Sequence, residues 1–241
     1  MNHKSKGFTL IELAVVLLVV SLLLGGLLVP LSTQMSQRNI QTTQAQLDEI
    51  REALLGFAVV NGYLPCPTNT TDPTSPNYGQ EDVRVAGACP SASGILPWKT
   101  LGVSEYDAWG IGRNAAADPW TGYFRYRVQL IFSNSITHIA MNSDPTAGGT
   151  LSVQDAAGNV LTSNTEPPVA IVYSTGPGDA DGDANNLRAD GANETNDPDN
   201  PAPTASTVYQ GGLPTATFDD LTTWISRPLL YNRLIAAGRI P

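Results

Sequence analysis

Three groups of side chains in this sequence have the types and spacing to do chemistry. The first is a lone acid in an apolar setting. Residues 8–31 hold 18 apolar residues in 24, and Glu12 is the one charged residue among them. An ionised side chain at the centre of a bilayer costs roughly 2.5–3.5 kcal/mol on insertion scales; Glu12, near the start of the run, either reaches the headgroups or awaits a positive partner from another molecule. The second group is Asp179, Asp181 and Asp183, alternately spaced in an acidic loop. Residues 179–200 carry seven acids against Arg188, a net charge of −6. Alternating carboxylates suit oxygen ligation of a hard cation, which makes calcium a candidate ligand; the alternative is a solvated acidic loop that binds none. The spacing departs from an EF-hand loop, because the sixth position from Asp179 is Ala184 rather than Gly and the twelfth is Asp190 rather than Glu. The third is the only cysteine pair, Cys66 and Cys89, which bracket a polar, proline-rich loop. Two cysteines outside the cytoplasm read as one disulfide. Closing a loop of this size stabilises a fold by about 3–3.5 kcal/mol in the chain-entropy account.

Other chemistries find little support. The histidines are His3 and His138, and His138 lies in an apolar stretch, Ile136–Ala140, that reads as a strand. No Gly-x-Ser-x-Gly elbow, His-Glu-x-x-His pair or phosphate loop occurs, so no enzyme is expected. A formal charge of −9, without a basic stripe, argues against nucleic acid as a partner.

The elements that carry these groups follow from hydropathy and periodicity. Lys4 and Lys6 precede the apolar run and Arg38 follows it. Twenty-three helical residues from Phe8 to Pro30 reach roughly 34 Å, enough to cross a bilayer. The run is longer than a signal-peptide core, and no small-x-small cleavage site follows it. Lysines on the leading side place the amino terminus in the cytoplasm and the remainder outside. Gly25, Gly26 and Pro30 predict a weak or kinked section of helix. Beyond it Ile40, Leu47, Ile50, Leu54 and Phe57 recur on one helical face, and Asn61-Gly62 signals a stop. Phe124, Tyr126, Val128 and Leu130 alternate with Arg125, Arg127 and Gln129, predicting a half-buried strand. Val169–Tyr173 reads as a central strand and Phe218–Ser226 as a short one. Arg227-Pro228 opens a helix through Ala237, with Gly238 as its stop.

Lys6-Gly7-Phe8-Thr9-Leu10-Ile11-Glu12-Leu13 resembles the processing site of type IV pilins and type II secretion pseudopilins. The resemblance implies that a prepilin peptidase cuts between Gly7 and Phe8 and methylates the new Phe8 amine. It also implies that Glu12 pairs with the Phe8 amine of a neighbouring subunit, which would supply its missing cation. Other pilins or pseudopilins in a helical filament, an inner-membrane assembly platform, and the lipid bilayer before assembly are the partners it implies. Two similar turns, Asp107-Ala108-Trp109-Gly110 and Asp118-Pro119-Trp120-Thr121-Gly122, are each similar to the start of the pseudopilin sheet, and the sequence leaves open which one aligns. The acidic loop, following Ser174-Thr175-Gly176, resembles the calcium loop of major pseudopilins.

The expected fold is α+β and pilin-like. A long N-terminal α-helix, half transmembrane and half amphipathic, packs on a small antiparallel sheet with long loops and a short C-terminal helix. The expected segments are a leader at 1–7, a transmembrane helix at 8–31, an amphipathic stalk at 32–62 and an extracytoplasmic head at 63–241. Residues 8–241 are long for a major filament subunit, which favours a minor pilin or larger pseudopilin. A pilin-exported adhesin using loops 68–90 and 179–200 is the alternative.

Overall fold

The computed structural model describes residues 9–110, 122–146, 150–155, 157–163, 165–176, 208–212 and 220–240, with only the backbone described over 22–33. In chain order the elements are α1 (Leu10–Asn61), β1 (Ser93–Ile95), α2 (Trp98–Leu101), β2 (Arg125–Val128), a 3-10 turn (Leu130–Phe132), β3 (Ser152–Gln154), β4 (Pro168–Ser174), β5 (Val208–Gln210), β6 (Leu221–Ser226) and α3 (Arg227–Ala236). The fold is α+β, with an N-terminal helix, a four-stranded antiparallel sheet and a short C-terminal helix. The chain divides into two compact units, residues 1–39 and 40–241.

In the first unit α1 is helical from Leu10 and stays so through Gly25, Gly26 and Pro30. The expected weak section is therefore not a break in the helix. A proline withdraws one backbone donor and a glycine costs about 1 kcal/mol, and a long apolar helix absorbs both. Apolar side chains from Leu10 to Val20 are exposed.

In the second unit α1 becomes amphipathic. Leu47, Ile50, Leu54, Leu55 and Ala58 join one core with Ala170 and Val172 of β4, Tyr126 and Val128 of β2, and Leu230 and Leu234 of α3. Phe57, expected on this stripe, is half-buried and packs edge-on to Tyr63. The sheet runs β1-β2-β4-β6, with Tyr126 opposite Val172 and Ile171 opposite Trp224. A parallel pair, β3 and β5, supplies a second core, in which Leu151, Val153 and Tyr209 pack with Ile171 and Tyr173. Strand β4 is thus buried on both faces, which accounts for its unbroken apolar run.

The same second core corrects the half-buried reading of 124–130. Arg125 is 1% exposed and Gln129 is buried, whereas Leu130 is 43% exposed. Arg125 pairs with Tyr173 and so shares the face that carries the second core. Leu130 has left the strand to open the 3-10 turn, and Phe132 is the residue buried there. Residues 136–140 form a turn rather than a strand, and exposed His138 takes a positive φ of 52°. The last strand starts at Leu221, while Phe218 and Asp219 lie outside the described residues. Helix α3 follows its reading closely, with Pro228 in the first turn and Gly238 at φ 67° just beyond the end.

Candidate functional site

Glu12 sits in the first turn of α1, and Thr9 immediately precedes the helix. The Thr9 backbone N–H donates to Glu12 Oε2 at 2.9 Å and the Thr9 hydroxyl donates to the same oxygen at 2.8 Å. The Glu12 N–H returns a longer bond, 3.4 Å, to Thr9 Oγ1. This is a capping box, and Thr-x-x-Glu is its sequence sign. It engages one carboxylate oxygen with neutral donors, and among the described residues no cation meets the charge. Gly7 and Phe8 lie outside the described residues.

Cys66 and Cys89 are bonded, with their Cα atoms 5.4 Å apart. The loop they close is fastened at further points that the sequence did not announce. Arg84 pairs with Glu81 at 2.8 Å, donates to the carbonyls of Leu64 and Ser133, and lies over the Tyr63 ring. Glu81 Oε2 accepts from the Cys66 N–H at 3.0 Å. Tyr78, from the same loop, donates its hydroxyl to the Glu105 carboxylate, and its oxygen lies 2.9 Å from that of Tyr123. Burial, with the Glu105 bond second, pushes the Tyr78 phenol well above its usual range. Burial raises Tyr106 likewise, so both remain neutral donors. Gly79 holds φ 74°, and a Cβ there would come within 2.5 Å of the Trp98 ring. No local spacing marks this cluster, because Tyr78, Glu105 and Tyr123 meet only in the folded chain.

The first Asp-x-Trp-Gly turn starts beside the sheet. Asp107 is buried, and its Oδ1 accepts from the N–H groups of Trp109 and Gly110. Its Oδ2 accepts from Ser174 Oγ at 2.6 Å at the end of β4. The Thr43 hydroxyl of α1 accepts from the Ala108 N–H. Asp107 N–H also donates to the Gly122 carbonyl, and Tyr106 bridges to Tyr123. The chain therefore leaves at Asp107 and returns beside it at Gly122, next to β2. Most of the second turn, residues 118–121, lies outside the described residues.

Asp179, Asp181 and Asp183 also lie outside them. Calcium binding there remains a proposal from spacing, tested by whether millimolar calcium raises the unfolding midpoint. Among the described residues no group of three His, Cys, Asp or Glu side chains is placed to hold a metal ion. Among the same residues no helix is long and apolar enough to cross a membrane. The apolar run of 8–31 falls partly on Phe8 and on 22–31, whose side chains are not described.

Residues 2–28 match the family described as the prokaryotic N-terminal methylation motif. This is the prepilin-type signature of type IV pilins and pseudopilins. It supports a pilin-like or pseudopilin subunit, a structural protein processed by a prepilin peptidase and assembled with other pilins. No curated protein and no solved structure matches the chain.

Proposed function

We propose that this chain is a minor pilin or a larger pseudopilin. It is cut between Gly7 and Phe8, methylated on Phe8, and held in the inner membrane with its amino terminus in the cytoplasm and its head in the periplasm. From there it is drawn through the assembly platform into a helical filament. The observation that carries the reading is the methylation motif at residues 2–28.

Two features of α1 support it. Exposed apolar side chains from Leu10 to Val20 require lipid or neighbouring helices around them. Lipid tails and apolar helices solvate such a surface about equally, so close packing and a charge pair must select the filament. Glu12 supplies the negative half of that pair, with one oxygen already oriented by Thr9.

Glu12→Ala should insert and be processed normally, yet be absent from filaments sheared from cells. Normal incorporation of Glu12→Ala would contradict the pairing.

A further inference from the structure

The four-stranded sheet closes one of its edges and leaves the other open. At the β1 edge, Val128 N–H donates to the Ala92 carbonyl and Leu96 N–H to that of Phe124. Backbone groups alternate in direction along a strand, so Ser93 and Ile95 face away from β2. Both are satisfied within the chain. Ile95 exchanges two backbone bonds with Thr68, at 2.8 and 2.9 Å, and Ser93 exchanges two with the Ser91 hydroxyl.

Strand β6 forms the opposite edge. Gln129 N–H donates to the Val169 carbonyl, so Val169 faces β2, and Ala170 and Val172 face β6. Their partners there are Ile225 and Thr223. The N–H and C=O groups of Thr222 and Trp224 therefore point outward, and among the described residues they have no backbone partner. No charge, proline or glycine interrupts Leu221–Ser226, although an open edge is normally blunted by such residues.

We propose that this edge binds a second copy of the chain, β6 pairing antiparallel with β6 about Thr223. In that register Thr222 of each copy lies opposite Trp224 of the other. Each such pair exchanges two bonds, which uses every open group of Thr222 and Trp224 on both strands. Any extended strand could take those bonds; the side chains select this one. Trp224 meets Thr222 on one face and Thr223 meets Thr223 on the other, and aromatic–β-branched and Thr–Thr pairs are favourable across strands. Asp219 and Asp220 precede the strand and Arg227 follows it, so antiparallel copies set the acidic end of one beside the basic end of the other. Arg227 already meets Glu166 at 3.5 Å; the charges therefore steer, and the backbone bonds hold.

The inference concerns the head and is independent of the assembly reading, which rests on α1. Its test uses the full-length chain. Thr223 lies opposite its own copy in a pair without backbone bonds, where Cα atoms are about 4.5 Å apart, within disulfide reach. In oxidised membranes Thr223→Cys should crosslink to a dimer about tenfold more than Val83→Cys, although Val83 is 73% exposed. In detergent, the wild type should dimerise at micromolar concentration. Thr223→Glu and Thr223→Lys should each be monomeric with an unchanged unfolding midpoint, because like charges then meet, and an equimolar mixture should dimerise again. If a charged variant fails to fold, the cysteine comparison decides. Association through α1 would survive both charge changes, and that result overturns the proposal. So does a monomeric wild type, or Thr223→Cys crosslinking no better than Val83→Cys.

Discussion

From Leu10 to Val20 the apolar side chains of α1 stand exposed, Leu10 at 87% and Val20 at 44%. From Leu47 to Ala58 the same helix buries Leu47, Ile50, Leu54, Leu55 and Ala58 to 3% or less. Backbone geometry is shared, so the difference lies in what each stretch is built to meet. The later stretch completes a core within its own chain. The earlier one has no such core, and its apolar surface becomes stable only in lipid or among other subunits. Polar groups repeat the contrast. Asp107 in the head has donors from its own turn and from Ser174, while Glu12 has neutral donors from Thr9 and, among the described residues, no cation.

This contrast can be broken most strongly in the buried stretch. Leu54→Ala should destabilise the head by about 2–5 kcal/mol, because a fully buried leucine leaves a cavity. Val16→Ala should leave head stability unchanged. Equal effects in urea unfolding of the detergent-solubilised chain would remove the distinction between the two stretches.

Cys66→Ser should cost about 3 kcal/mol in the same assay and expose residues 67–88 to proteolysis. The extra fastening by Arg84 and Tyr78 predicts that the loop opens only when the head unfolds. Rapid nicking at native stability would show that the disulfide alone holds it.

The smallest effect is on the alkaline side. Tyr78 and Tyr106 have phenols raised above the ordinary value of 10. Their stabilisation is full below that value and is lost as pH rises above it, since the unfolded chain ionises first. Tyr78→Phe should therefore flatten the fall in the unfolding midpoint above pH 10. An unchanged slope would mean that other groups dominate.

How much of this could be read in the sequence depended on range. The amphipathic stretch of α1, the buried strand β4 and the proline-led helix α3 each follow from local pattern, and the structure keeps them. Strand β2 did not, because alternation assumes one covered face, and β3 and β5 come from distant parts of the chain to cover the other. Arg125, opposite Tyr173, lies on that second face. His138 failed for a local reason, since an apolar stretch of five residues can turn as well as extend. The Thr9–Glu12 box was legible as Thr-x-x-Glu but is eclipsed by the larger motif around it. The tyrosine cluster had no signal in one dimension, since Tyr78, Glu105 and Tyr123 meet only in the folded chain.

The central claim is that α1 begins its working life at a new amino terminus made for assembly. Intact-mass analysis of the membrane form tests it most directly. The account predicts loss of residues 1–7 and one added methyl group on Phe8, with Gly7→Val left at precursor mass. A membrane form that still begins at Met1 would contradict it.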